Sequence, residues 1–164
     1  MSKRFVIIRH AEAAADLIKD FDRPLTPFGE AQAHEIGLAL RSLGLLPDKI
    51  VASAAMRTKT TAYIIAKAFP SEIPVMLKQN LYQASDEYLE QEIAATEAAI
   101  NTVLLIAHNP GVSYLVQRLS RISGHLHMPP CAFAAFELQS NHWADVYTQK
   151  IKLIKYDFPK TGRL

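Results

Sequence analysis

Phe5-Val6-Ile7-Ile8-Arg9-His10-Ala11-Glu12 is the stretch that decides the fold. Four apolar residues, three of them β-branched, follow one another without polar alternation, the pattern of a strand covered on both faces. The run stops at an arginine and a histidine. Working outward, Ile50-Val51-Ala52 and Val103-Leu104-Leu105-Ile106-Ala107 repeat the pattern and end at Ser53 and His108. Val75-Met76-Leu77 is a weaker strand, and residues 132–138 and 150–156 are later ones. The last alternates, with Ile151, Leu153 and Lys155 on one face, which predicts an edge position.

Helices separate these runs. Thr26 caps the first, with Pro27 at its first position, where a missing N–H costs nothing. Ile36, Leu40 and Leu43 form its buried stripe at i, i+4 and i+7, and Gly44 stops it. Ala62, Ile65, Ala66 and Phe69 give a second helix its stripe, closed by Pro70. Residues 85–100 read as a third helix, with Asp86 and Glu87 at the positive end of its dipole. Asn109-Pro110 opens a fourth, running through Tyr114, Leu115 and Leu119. Strands alternating with helices predict an α/β fold, a three-layer sandwich whose mostly parallel central sheet is flanked by helices. With no repeat, low-complexity tract or Gly/Ser linker, residues 1–164 read as a single domain.

Composition excludes several partners. The 164 residues are 49% hydrophobic and 21% charged, ordinary for a soluble globular chain. Lysine and arginine (18) nearly balance aspartate and glutamate (16), and no dense basic block points to nucleic acid. Lys150, Lys152, Lys155, Lys160 and Arg163 crowd the end of the chain; they read as a solvated face, with an acidic partner surface as the sharper alternative. No stretch reaches membrane-span length, and the run at 5–8 is too short for a secretory segment. One cysteine, Cys131, permits no internal disulfide, so the expected location is the cytoplasm. His125-x-His127, Cys131 and His142 fit no zinc spacing, so neither metal nor cofactor is expected and the segment reads as a loop. His34 belongs on an exposed helix face, and Trp143, Tyr147 and Tyr156 read as core or sheet-face residues.

The chemistry gathers at strand ends. The first strand ends in Arg9-His10, the second in Ser53 with Arg57 one turn into the next helix, and the central one in His108-Asn109-Pro110-Gly111 at a helix start. In open α/β sheets the carboxyl ends of strands form the ligand crevice. Two arginines, two histidines and a helix N-terminus meeting there suit a phosphoryl group: guanidinium forks match phosphate oxygens, and the helix start adds oriented N–H groups. One imidazole, unprotonated toward the substrate, can attack phosphorus while the other, protonated, neutralises an equatorial oxygen.

These motifs resemble the histidine phosphatase superfamily, and within it the short SixA-type phosphohistidine phosphatases. Arg9-His10 matches the Arg-His signature, Arg23-Pro24-Leu25-Thr26-Pro27-Phe28-Gly29 the Arg-Pro-Leu-Thr-x-x-Gly segment, Ser53-Ala54-Ala55-Met56-Arg57 the Ser-x-x-x-Arg block, and His108-Asn109-Pro110-Gly111 the second histidine motif. The resemblance implies a phosphoglycerate-mutase-like fold, His10 as the nucleophile that becomes phosphorylated, and Arg9, Arg57 and His108 as holders of the phosphoryl oxygens. Asn109 and Arg23 are further candidate substrate contacts, and phosphate or sulfate is the anion expected in the pocket. Ala11 and Ala107 stand where glycine is usual and Ala54 where proline is usual. Pro129-Pro130-Cys131 replaces a segment that is often Pro-Thr-Gly.

Substrate class turns on the leaving group. Larger relatives carry an inserted helical region and a carboxylic acid that protonates a leaving oxygen; here Asn80-Leu81-Tyr82-Gln83-Ala84 holds no carboxylate. An alkoxide needs that proton, worth about 10² to 10⁴ in rate, whereas an imidazole can depart as a neutral ring. The expectation is a phosphohistidine-bearing protein as substrate. Glu12 could serve as an acid toward small phosphate esters, though a loop residue pairing with Arg23 or a nearby N–H is its plainer reading. A non-catalytic phosphoprotein-binding module is the alternative from another class. Ser53 is expected to bond backbone near its helix start, and Asp22 and Arg23 to organise the loop over the site.

Overall fold

In the computed structural model, which describes residues 2–15 and 18–161, the opening apolar run becomes β1 (Lys3–Arg9). Phe5, Val6, Ile7 and Ile8 are each 0% exposed, so both faces of this strand are covered. It is followed by α1 (Pro27–Ser42), β2 (Lys49–Ser53), α2 (Met56–Ala66), β3 (Val75–Lys78), α3 (Asp86–Ala94), β4 (Thr102–Ala107), α4 (Gly111–Ser120), β5 (Phe133–Leu138) and β6 (Ile151–Asp157). One six-stranded sheet results, in the order β3-β2-β4-β1-β5-β6. The β1–β4, β2–β4 and β2–β3 pairs are parallel, while β5 runs antiparallel to β1 and β6.

Alternate residues of the central strands feed two cores. Val6, Ile8, Ile50 and Leu104 pack with Ile36 and Leu40 of α1 and Ile65 of α2. Phe5, Ile7 and Leu105 pack on the other face with Leu89 of α3, Leu115 of α4 and Trp143. Each such side chain contributes about 1.5–3 kcal/mol on full burial. This is the expected three-layer sandwich, mostly parallel in the middle.

Two glycines set how closely the layers approach the site. A Cβ on Gly29 would lie 2.1 Å from the carbonyl oxygen of Glu12, and one on Gly111 would lie 2.3 Å from that of Ala84. No larger residue fits either place, so glycine fixes the start of α1 against the loop after β1 and the start of α4 against the chain before α3. Thr26 caps α1 as expected, accepting from the Gly29 N–H at 2.9 Å.

Several expectations are corrected. Leu43 is 45% exposed, because α1 ends at Ser42 and the turn at Gly44 (φ 72°) passes the buried place to Leu45, 2% exposed. The second helix ends at Ala66, although Phe69 stays buried. The third ends at Ala94 rather than 100: Lys3 Nζ takes the carbonyls of Ala98 and Ile100, and Trp143 Nε1 also donates to Ile100, so this segment's acceptors are met without a helix. The fourth begins at Gly111, one residue after Pro110, and Tyr114 faces outward. β6 does lie at the edge, but a register shift between Ala135 and Phe136 opposite it breaks the alternation, leaving Lys155 exposed and Tyr156 half-buried. Trp143 is buried and Tyr147 exposed. Lys150, Lys152, Lys155 and Lys160 are exposed, whereas Arg163 lies outside the described residues. Among the described residues no helix is long and apolar enough to cross a membrane.

Candidate active site

β1, β2 and β4 are adjacent and parallel, so their carboxyl ends share one edge of the sheet. His10 follows β1, Ser53 ends β2 and His108 follows β4. The imidazole centroids of His10 and His108 are 5.3 Å apart, tilted by 54°. Both residues are buried.

Hydrogen bonds fix the tautomer of His10. Its Nδ1 lies 2.7 Å from the carbonyl oxygen of Ala11. A carbonyl only accepts, so Nδ1 carries the proton and Nε2 the lone pair. The Ala11 N–H donates to Thr61 Oγ1, whose hydroxyl donates to the Arg57 carbonyl, joining the loop after β1 to α2. On the other side, the Cys131 N–H donates to the His10 carbonyl at 3.0 Å. The Pro129-Pro130-Cys131 segment thus contributes backbone, and Cys131 is a free, buried thiol that burial pushes up in pKa.

The cations are held on one side and open on the other. Arg9 Nη1 donates to the Met128 carbonyl at 3.0 Å. Arg57 Nη1 donates to the Asp20 carbonyl at 2.7 Å and Nη2 to Asp20 Oδ2 at 3.0 Å. His108 Nε2 lies 2.8 Å from Ser53 Oγ. Arg9 Nε, Arg57 Nε and His108 Nδ1 remain buried without a partner in the protein. An unpaired buried polar atom costs about 1–3 kcal/mol, and a tetrahedral oxyanion would meet the two guanidinium N–H groups and, once that ring is protonated there, His108 Nδ1.

Burial, reinforced by this positive charge, lowers both imidazole pKa values. For His10, burial outweighs the Ala11 bond and, with His108, Arg9 and Arg57 adding, brings it to about 3; for His108, burial and then Arg57 bring it to about 4. Arg9 is also lowered, by burial first and Arg57 second. Both rings are therefore neutral at neutral pH. His108 can take the protonated role expected of it only when an anion's charge enters between them.

Two residues that sequence reasoning missed complete the rim. Tyr82, set by the 3₁₀ turn Gln79–Leu81 after β3, meets the His108 ring edge-on at 5.5 Å, and the Arg57 guanidinium lies 5.9 Å from its centroid. Its hydroxyl donates to Asp20 Oδ2. Asp20 opens the 3₁₀ turn Asp20–Asp22 and also pairs through Oδ1 with Arg23 Nε at 3.2 Å. The Tyr82 bond, then Arg57 and Arg23, hold the Asp20 carboxyl below its usual range. Asp20 sits in a polar loop with nothing to mark it, and Tyr82 drew notice only as part of a stretch without carboxylates.

The remaining candidates are placed elsewhere. Glu12 does not pair with Arg23: the Thr26 hydroxyl donates to its Oε2 at 2.7 Å, which ties it to the start of α1. Asn109 spends its amide on scaffold, with Nδ2 donating to the Met128 carbonyl at 3.0 Å and Oδ1 accepting from Ser113. Ser53 accepts from the Ala55 N–H at 3.4 Å, as expected, but its main partner is His108. His125 and His127 are exposed, and no metal-holding cluster exists among the described residues.

Fold and site together give an α/β protein with two imidazoles and two guanidinium groups gathered at the carboxyl ends of its parallel strands. The model of the histidine phosphatase superfamily (branch 1) matches residues 5–84. The chain belongs to this superfamily and sides with its SixA-type members. A protein of Nakamurella multipartitia provisionally named phosphohistidine phosphatase SixA is 28% identical, with a TM-score of 0.83 over 98% of each chain. The protein histidine phosphatase SixA solved with tungstate shares the fold, with a TM-score of 0.79 at 21% identity over 95% of this chain and 97% of the other. An uncharacterized protein of Mycobacterium leprae is 30% identical over 118 residues, 69% of this chain and 71% of its own length. The activity class that goes with these matches is phosphatase hydrolysis.

Proposed function

We propose that the protein is a metal-independent phosphohistidine protein phosphatase working through a phospho-His10 intermediate. The observation that carries this reading is the His10 Nδ1–Ala11 carbonyl bond, which leaves the Nε2 lone pair free near two unpaired guanidinium N–H groups and the unpaired Nδ1 of His108. In the first step Nε2 bonds to phosphorus and the substrate's P–N bond breaks. Its electron pair returns to the substrate ring, which departs as neutral imidazole because its distal nitrogen holds a proton. In the second step water attacks phosphorus, the N–P pair returns to Nε2, and dihydrogen phosphate leaves. Arg9, Arg57 and His108 hold the equatorial oxygens throughout, and fixed positive charge takes the place a metal could fill. The tungstate carried by a SixA neighbour is a tetrahedral oxyanion of the same class. The cytoplasm suits a protein substrate of this kind.

Small phosphate esters are the competing substrates. Glu12, their candidate acid, is engaged with Thr26, and the rim acid Asp20 is ionised, so neither is set to protonate an alkoxide. Incubation with a phosphohistidine-domain protein and with a sugar phosphate tests the reading: turnover of the former should exceed the latter by at least about 10². Equal rates would favour the ester reading. His10→Ala should abolish turnover while keeping phosphate affinity within a few-fold; undiminished dephosphorylation would rule out His10 as the nucleophile, and wild-type protein that binds phosphate without turning over either substrate would leave only a binding module.

A further inference from the structure

Expulsion of a histidine ring as a neutral leaving group needs a proton on its distal nitrogen. Without it the departing ring is an imidazolate, a leaving group almost as poor as an alkoxide. His10 meets the same condition in the second step through Nδ1, which is hydrogen-bonded to the Ala11 carbonyl. A symmetric transfer between two imidazoles calls for an equivalent acceptor on the substrate's side of phosphorus.

Asp20 is the group placed for it. Its side chain is 51% exposed at the rim, directly against Arg57, and its charge is felt at His108. A carboxylate offers about four lone-pair sites. Arg57 and Tyr82 bond Oδ2, while Arg23 Nε faces Oδ1 as an ion pair at 3.2 Å without a hydrogen bond, which leaves Oδ1 lone pairs for a further donor. Tyr82 and Arg57 both bond Oδ2, so two donors fix the position of the half-exposed carboxylate. An ionised carboxylate there cannot protonate an alkoxide and repels the charge growing on an ester oxygen. Toward an N–H of a cationic ring it does the reverse.

We propose that Asp20 is a leaving-group residue, accepting the distal ring N–H of the substrate's phosphohistidine and so favouring the protonated ring that departs neutral. The proposal rests on the phosphohistidine reading and adds to it a residue that discriminates P–N from P–O substrates. Atoms and charge balance within the first step: the distal proton stays on the substrate ring, the P–N electron pair returns to it, and the carboxylate only orients and stabilises.

The test uses two small probes, phosphoimidazole and p-nitrophenyl phosphate, whose phenolate leaves without a proton. Asp20→Asn also loosens Arg57, so both rates should fall, and the ratio of kcat/KM values is what reads the role. That ratio, phosphoimidazole over p-nitrophenyl phosphate, should drop by about 10-fold or more. Equal losses on both probes would overturn the role of Asp20 and leave the phosphohistidine reading standing. Wild-type protein inactive on phosphoimidazole and on phosphohistidine protein would overturn both. Tyr82→Phe keeps the carboxylate while freeing a lone-pair site, so its ratio should hold within threefold or rise. A tenfold fall there would assign the effect to the shape of the rim and contradict the proposal.

Discussion

His108 Nε2 and Ser53 Oγ, 55 positions apart in the chain, lie 2.8 Å from each other at the ends of neighbouring strands. Ser53 thereby sets the plane of the second imidazole and leaves Nδ1 as the nitrogen free to meet a ligand. Ser53→Ala removes the partner of a buried ring nitrogen, which costs about 1–3 kcal/mol of stability. Turnover should fall by about 10-fold with a smaller change in KM, because the ring's charge matters most as the transition state forms. Urea melts and steady-state kinetics check both; a Ser53→Ala protein with unchanged kcat would show that the ring is held by its packing alone.

Arg57 is asked to do two things, to hold Asp20 through its Nη atoms and to present Nε to an oxyanion. Lysine supplies the charge without the fork. Arg57→Lys should lower kcat/KM by about 10² to 10³, the range for losing one preorganised transition-state donor. A loss below threefold would mean that charge alone suffices.

Acid should destabilise the ligand-free protein through its two buried imidazoles, His10 and His108. Unfolded histidines titrate near 6.5, whereas His10 and His108 in the fold titrate at about 3 and about 4. Between those values the unfolded chain binds more protons, so stability falls as pH drops from about 6.5 toward 4, by up to roughly 1.4 kcal/mol per pH unit for each ring. Phosphate or vanadate favours protonation of His108, so its binding should take up a proton at pH 7 and widen the acid-stable range. Calorimetry in buffers of different ionisation enthalpy checks this; binding without proton uptake would contradict the assignment of His108.

Glu12 lies two residues after His10 but is bonded to Thr26. Glu12→Gln keeps an acceptor for that hydroxyl, so kcat on every substrate should stay within about threefold, whereas loss of a general acid would cost about 10² to 10⁴ on esters alone. The ester arm of a substrate panel decides it.

The strands and their order of chemistry were legible because a buried parallel strand needs a continuous apolar run, and residues 103–107 supply one directly before His108 while residues 5–8 supply one before Arg9-His10. Gly29 was visible as part of a motif, and the structure adds its reason, the 2.1 Å approach to Glu12. Where reading failed, tertiary partners had replaced local ones. Residues 95–100 look helical until Lys3 and Trp143, from distant strands and turns, claim their carbonyls. Asp20 and Tyr82 are 62 positions apart and acquire meaning only when the loop after β1 and the turn after β3 close over Arg57. Asn109 could be read as a ligand because an asparagine at a helix start suits one; its oxygen is taken by Ser113 one turn into α4, and its bond to Met128 emerges only from the packing of the loop before β5.

The central claim is that His10 accepts the phosphoryl group on Nε2, since Nδ1 is committed to the Ala11 carbonyl. Rapid quench in alkali after mixing with phosphohistidine protein, followed by peptide mapping and ³¹P NMR of the labelled peptide, reads both residue and atom. The prediction is a transient label on His10 at Nε2, absent from His10→Ala. Phosphorus found on Nδ1, on another residue, or released with no protein-bound stage would contradict it.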